Sequence, residues 1–236
     1  VTRVWLVTGA SRGIGEAVAR LAAARGDRVA LVARGARVVE VAEEIGGLGL
    51  RADLADPDAL GGAVQEALER LGRIDVLVNN AGIHRGGRLE RLGLEDFREV
   101  LETDLVGPFE LCRLVGPQMA AGGAIVNVGA VVGFRGFPGD SPYGAAKAGL
   151  AGLTRVLAVE LARRGVTANL VVPGLTDTEL IAGVDGAARE RIVRGIPLGR
   201  MAGPEEIARV IAWVADTPYM TGSVVVVDGG LMAALG

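Results

Sequence analysis

Short apolar runs and helically spaced apolar positions alternate along the chain. Val4 to Val7 is unbroken and apolar, Thr8-Gly9-Ala10-Ser11-Arg12-Gly13-Ile14-Gly15 follows, and Ala17, Val18, Leu21 and Ala22 then recur at helical spacing. That order predicts strand, glycine turn, helix. Further strands are predicted near Arg28 to Ala33, Leu48 to Arg51, Ile74 to Val78, Ala124 to Val128, Thr167 to Val172 and Val224 to Val227, with helical patterns in most gaps between them. Continuous rather than alternating apolar runs mean strands buried on both faces, hence a parallel sheet covered by helices on each side. The pattern predicts an α/β fold: a single-domain, doubly wound Rossmann sheet of about seven parallel strands over residues 1–236. Two Gly/Pro-containing segments, Gly133 to Pro142 and Pro173 to Gly195, follow predicted strands. Such sheets bind ligands beyond the carboxyl ends of their strands, so both segments are expected to be active-site loops.

Composition narrows the function. Half of the 236 residues are hydrophobic and 22% are charged, so the chain has material for a core and is not a disordered segment. A net charge of -3 opposes non-specific binding to a phosphate backbone, and nucleic acid is not expected as a partner. No apolar run reaches membrane-span length, and Val1 to Ala10 lacks the features of a signal peptide. The lone Cys112 cannot pair internally, which suits a reducing compartment, and a cytoplasmic location is expected. With His84 the only histidine and no cluster at metal-ligand spacing, no metal site is expected. His84 itself reads as a loop residue near the substrate mouth.

The glycine turn points to a dinucleotide. Gly9, Gly13 and Gly15 let the backbone turn tightly and let a pyrophosphate approach a helix N-terminus, whose free N–H groups favour anions. Ser11, Arg12 and Ile14 complete the turn. A site that prefers NAD usually carries a carboxylate at the end of the second strand, to bind the ribose hydroxyls. Ala33 and Arg34 stand there instead. Arg34 and Arg12 can hold a 2′-phosphate through forked, charge-assisted hydrogen bonds, which favours NADP(H); the other reading is a pair of solvated surface charges.

Tyr143 and Lys147 are four residues apart in a helical segment running to about Arg164, so they share a helix face. An adjacent ammonium favours phenolate and is expected to lower the tyrosine pKa, making the phenol a proton donor near neutrality. Of the 25 basic residues only Lys147 is lysine, and a compact ammonium is not interchangeable with a guanidinium.

The chain resembles the short-chain dehydrogenase/reductase family over essentially its whole length. The resemblance rests on Thr8-Gly-x-x-x-Gly13-x-Gly15, Asp53-Leu54, Asn79-Asn80-Ala81-Gly82, Tyr143-x-x-x-Lys147, Pro173-Gly174 and Val227-Asp228-Gly229-Gly230. It implies hydride transfer between nicotinamide and a carbonyl or alcohol, with Tyr143 as acid/base and Lys147 holding the ribose. It also implies Asp53 and Leu54 by the adenine, and Asn80, Ala81 and Gly82 on the ribose and nicotinamide side. Pro173, Gly174, Thr176 and Thr178 join the cofactor-binding set on the same resemblance.

Gly82-Ile83-His84-Arg85, Ile196-Pro197-Leu198-Gly199-Arg200 and Gly203-Pro204-Glu205-Glu206 most resemble bacterial 3-oxoacyl-acyl-carrier-protein reductases, with polyketide ketoreductases as neighbours. This implies a small-molecule or carrier-protein-bound acyl substrate. Arg164 falls where those reductases dock the acidic carrier protein, while Ala121-Gly122-Gly123 stands where a second docking arginine is expected. The resemblance also implies a homotetramer, assembled through the C-terminal end and through the long helices carrying Asp104 and Lys147.

Two departures lie within the catalytic set. Ala130, thirteen residues before Tyr143, stands where the family has a serine that hydrogen-bonds the substrate carbonyl. Losing one preorganised donor costs roughly 10²–10³ in turnover. An introduced substitution, a hydroxyl supplied from elsewhere, or a subunit paired with an active sibling would each account for it, and Ser141 is the nearest hydroxyl in sequence. Asp104 stands where the family has an asparagine. It falls on the apolar face marked by Phe97, Leu101 and Pro108, and a buried carboxylate needs a partner, for which Lys147 is the candidate. Phe134, Phe137 and Pro138 either line an apolar channel or pack in the core. The readings carried forward are an NADPH-dependent ketoreductase and, alternatively, a catalytically quiet NADP(H)-binding subunit that regulates or stabilises an active partner.

Overall fold

In the computed structural model, residues 2–179 and 186–234 are described. Strands β1 (Val4–Thr8), β2 (Arg28–Ala33), β3 (Leu48–Arg51), β4 (Val76–Asn79), β5 (Ala124–Val128), β6 (Thr167–Pro173) and β7 (Val224–Val227) form one sheet in the order β3-β2-β1-β4-β5-β6-β7. Every pairing is parallel. The order reverses direction between β1 and β4, which creates the crevice at the carboxyl ends of the strands where such sheets take ligands. Helices α1 (Gly13–Ala24), α2 (Arg37–Ile45), α3 (Pro57–Leu71), α4 (Leu94–Leu101), α5 (Gly107–Val115), α6 (Ser141–Leu161), α7 (Gly186–Arg194) and α8 (Pro204–Ala215) accompany the sheet.

The predicted strands agree with the structure to within two residues: β1 runs one residue further, to Thr8, β4 spans Val76–Asn79 rather than Ile74 to Val78, and β6 runs one residue further, to Pro173. β1, β4 and β5 are buried along their whole length, as continuous apolar runs require. Two hydrophobic clusters lie against the sheet, one containing α1, α2 and α8, the other α3, α5 and part of α6. The expected loop from Pro173 to Gly195 is only partly a loop, because Gly186–Arg194 is helix α7. Residues 180–185 of that segment lie outside the described residues.

β7 is four valines, a run too apolar to stand as an unprotected sheet edge. It pairs with β6 on one side, yet it is the edge strand, and Val226 is exposed. Apolar content alone therefore did not put this strand inside the chain's own core.

Two features set the depth and angle of the helices that reach the crevice. A buried polar chain runs from β4 through β5 into α6. Asn79 Nδ2 donates to Asn127 Oδ1 at 2.8 Å, Asn127 Nδ2 to Thr154 Oγ1 at 2.9 Å, and Thr154 Oγ1 to the Leu150 carbonyl at 2.7 Å. Polar groups buried in low dielectric hold their geometry strongly, so this chain fixes α6 against the sheet. Between α4 and α5, Glu102–Val106 forms one π-helical turn. Such insertions widen a helix locally and recur at functional sites. Cys112, buried against the sheet, accepts a contact from Asn79 Nδ2 at 3.3 Å, and burial pushes its thiol up to about 12, which leaves it unreactive.

Candidate active site

The carboxyl ends of the strands open into one cleft of about 630 Å³. Each strand from β1 to β6 contributes the residues that follow it. Gly9, Ser11, Arg12, Gly13 and Ile14 come after β1, Arg34 after β2, and Asp53 and Leu54 after β3. Asn80, Ala81, Gly82 and His84 come after β4, Ala130 after β5, and Gly174, Thr176 and Thr178 after β6, where Pro173 is the last strand residue. Tyr143 and Lys147 reach the same cleft from α6.

The glycine turn is held from below. Thr8 Oγ1 accepts the backbone N–H groups of Asn80 and Ala81, each at 3.0 Å, and Asn80 Nδ2 donates to the Thr8 carbonyl at 3.0 Å. Gly15 does not line the cleft: it is buried beneath the turn, where a Cβ would stand 2.4 Å from the Gly9 carbonyl oxygen. Gly9, at φ +64°, sits where a Cβ would meet Ala81 Cα at 2.8 Å. The N-terminus of α1 carries no side-chain cap, so its first N–H groups remain available to an anion in the cleft.

Arg34, exposed at the cleft rim, pairs with the half-buried Asp53 at 3.6 Å. Arg37, which the sequence reading did not single out, also lines the cleft and donates from Nε to the Ser11 carbonyl at 3.1 Å.

Lys147 is the centre of the catalytic end. Its Nζ lies 5.3 Å from the centroid of the Tyr143 ring, 3.2 Å from Asp104 Oδ2 and 3.3 Å from the Val128 carbonyl. Asp104, fully buried in the π-helical turn, accepts the Ile83 backbone N–H on Oδ1 at 2.8 Å. Its Oδ2 meets the ammonium as an ion pair outside hydrogen-bond geometry and has no hydrogen bond. Burial pushes the Asp104 carboxyl above its ordinary value, with Lys147 and the Ile83 N–H pulling it back. Burial disfavours the Lys147 ammonium, but Asp104 and Tyr143 outweigh it and leave Lys147 above its ordinary value. The geometry therefore supports an ion pair, with the lysine charged at neutral pH.

The expected depression of the Tyr143 pKa is not found. Burial raises it first, Asp104 and Asp140 raise it further, and the lowering by Lys147 does not offset them. Sequence spacing revealed the ammonium but neither the desolvation nor the second carboxylate.

Ala130, in extended backbone at φ -159°, lines the cleft without a donor. Ser141 does not replace one: it is exposed at the first position of α6 and does not line the cleft. Phe137 lines the cleft, whereas Phe134 is 39% exposed outside it and Pro138 is not among the lining residues. His84 and Asp140 do face the cleft, joined by a hydrogen bond of 2.8 Å from the imidazole Nε2 to Asp140 Oδ1. Among the described residues, no group of histidine, cysteine and carboxylate side chains could hold a metal ion.

A parallel sheet with a glycine turn at its switch point, and a tyrosine and lysine one helical turn apart in the same cleft, defines a dinucleotide-dependent oxidoreductase class. The chain belongs to the short-chain dehydrogenase/reductase family. A family model described as Enoyl-(Acyl carrier protein) reductase matches residues 9–232. The chain is 41% identical over 235 residues to carbonyl reductase family member 4 of Xenopus tropicalis, covering 98% of each chain. It is 38% identical over 236 residues to the 3-oxoacyl-acyl-carrier-protein reductase FabG of Escherichia coli, covering 97% of each. A short-chain dehydrogenase from Burkholderia cenocepacia, solved in complex with NADP, superposes with a TM-score of 0.93 at 34% identity and 98% coverage of both chains.

Proposed function

We propose that this chain is an NADPH-dependent ketoreductase that reduces a 3-oxoacyl thioester or a related polyketide-type carbonyl. The carrying observation is the Lys147 ammonium held 5.3 Å from the Tyr143 ring in the cleft that also contains the glycine turn. The uncapped N-terminus of α1, the glycines that admit a close backbone approach, and Arg12, Arg34 and Arg37 at the rim fit a pyrophosphate and a 2′-phosphate. NADPH, when bound, supplies the hydride that the carbonyl carbon accepts. Tyr143 donates its phenolic proton to the carbonyl oxygen, so the product is an alcohol, and Lys147 stabilises the phenolate left behind. Asp104 holds the ammonium in place. Phe137, Val131 and Leu175 supply apolar walls suited to an acyl chain. Adding a 3-oxoacyl N-acetylcysteamine thioester and following NADPH oxidation tests the reading; no oxidation by either the parent or Ala130→Ser overturns it.

Arg34→Asp is expected to weaken NADPH binding by about tenfold to a hundredfold, because a charge-assisted hydrogen bond is lost and a like charge gained. Binding of NADH should be retained. Fluorescence titration with both nucleotides checks this, and tighter NADH than NADPH binding in the parent contradicts the assignment.

Asp104 raises the pKa of Tyr143, so Asp104→Asn lowers it. Alcohol oxidation needs the phenolate, and its rate rises with pH through that pKa. The rise should therefore shift to lower pH in Asp104→Asn, and superimposable pH-rate profiles would refute the coupling.

Homotetramer assembly, docking of a carrier protein at Arg164 and a cytoplasmic location belong to the same proposal. Val226 on β7 and Phe109, Val156 and Val159 on α5 and α6 are exposed apolar side chains that a second copy would cover. Arg164 is exposed in the turn after α6, where it donates to the Pro117 carbonyl. Ala130 favours a second reading, a quiet NADP(H)-binding subunit beside an active sibling. Under that reading Tyr143→Phe leaves the chain's effect on its partner unchanged.

A further inference from the structure

We propose that His84, oriented by Asp140, supplies the hydrogen bond to the substrate carbonyl oxygen that Ala130 cannot give. The inference rests on the ketoreductase reading of the same cleft. Four observations carry it. His84 lines the cleft together with Ala130 and Tyr143. Its ring stands edge-on to the Tyr143 ring, with centroids 5.6 Å apart and planes at 78°, so the imidazole and the phenol border one volume. Its Nε2 lies 2.8 Å from Asp140 Oδ1, and since a carboxylate only accepts, Nε2 carries the proton. The loop around it is anchored on both sides: Ile83 donates its N–H to Asp104 Oδ1 at 2.8 Å, and Gly87 donates its N–H to the Gly139 carbonyl at 2.9 Å. Gly86 completes the seat, since a Cβ there would come within 2.8 Å of His84 Cε1.

With Nε2 committed to Asp140, Nδ1 has no hydrogen bond among the described residues. In the imidazolium it is a second donor, and a cationic donor suits an oxygen that gains negative charge as hydride arrives. Asp140 has the same positioning role toward His84 that a carboxylate has toward any histidine it orients. The charged groups facing His84 act in one direction except for one. The Asp140 hydrogen bond raises its pKa first, burial opposes this, the charges of Asp140 and Asp104 raise it, and Arg85 lowers it. The net shift is upward from 6.5, so the donor form persists to higher pH than in a free imidazole. Donation is complete below that ordinary value and is lost as pH rises through the folded value. No group at position 130 with a hydroxyl would impose this dependence.

The test is a cycle of parent, His84→Phe, Ala130→Ser and the double variant, assayed for reduction of a 3-oxoacyl N-acetylcysteamine thioester, with NADPH affinity measured in each as a check on folding. His84→Phe should lower kcat by about 10²–10³, the effect of removing one preorganised donor, with KM and NADPH affinity little changed. Ala130→Ser should restore most of that loss in the double variant and remove the fall of kcat with rising pH. Because His84 is the only histidine, its ring-proton NMR titration reports its pKa directly, and Asp140→Asn should move that titration and the kinetic limb together to lower pH. An unchanged kcat in His84→Phe overturns the inference, as does a parent that is inactive until Ala130→Ser is made; both leave the ketoreductase reading standing. Inactivity of the parent and of Ala130→Ser alike overturns that reading and the inference with it.

Discussion

Tyr143→Phe should abolish carbonyl reduction while leaving NADPH binding intact. The ring sits against Ile83, Val100 and Ala146, and phenylalanine keeps those contacts, so the substitution removes only the hydroxyl. Proton transfer by a positioned side chain contributes about 10²–10⁴ to a rate, and the fall in kcat should lie in that range, with KM for the thioester nearly constant. The loss should not be recovered at any pH. An ordinary change in local electrostatics would shift a pH-rate profile, whereas deleting the proton donor lowers the whole curve. Retention of more than a tenth of parental kcat would show that the phenol is not the donor, because even the low end of the range is about a hundredfold. The quiet-subunit reading makes the opposite demand, since a protein that only binds nucleotide has no use for this hydroxyl.

What the sequence could disclose divides along a physical line. Elements set by local pattern were legible: continuous apolar runs gave all seven strands within two residues, and the glycine turn and the Tyr143-Lys147 spacing marked where ligand and chemistry meet. Asp104 beside Lys147 was legible too, because a charge on an apolar helix face needs a partner and the chain has a single lysine. Properties that depend on three-dimensional environment were not. The rise in the Tyr143 pKa comes first from burial and then from Asp104 and Asp140, 39 and three residues before it, and the extent of that burial cannot be read from spacing. His84 and Asp140 are 56 positions apart and meet because the loops after β4 and β5 are tied together at Gly87 and Gly139. Helix α7 was missed because the proline and glycines around it read as loop. Arg37 was missed because, in a chain so rich in arginine, another one carried little signal.

Lys147→Met should destabilise the protein by about 3–5 kcal/mol, the cost of leaving one partner of a buried ion pair without its counterion. For a domain of this size that corresponds to a fall in Tm of roughly 6–20 °C. The fall should depend on pH in a defined direction. Burial already holds the Asp104 carboxyl above its ordinary value, and removing the ammonium raises it further. A group whose folded pKa is raised favours the folded state below its unfolded pKa and loses that contribution as pH rises through the folded value. The variant should therefore be weakest near neutrality and recover toward the parent as acid neutralises Asp104. In the parent the ion pair offsets this cost until alkaline pH deprotonates Lys147, whose own pKa is raised. Adding Asp104→Asn to Lys147→Met removes the orphaned charge while keeping a side-chain oxygen for the Ile83 N–H. Most of the lost Tm should then return. Turnover should not, because the phenolate still lacks its cation. Calorimetry of the four proteins at neutral and acidic pH separates the two roles. Equal stability of Lys147→Met and parent at neutrality would mean that water reaches Asp104, and that the pair at 3.2 Å does not hold a buried charge in place.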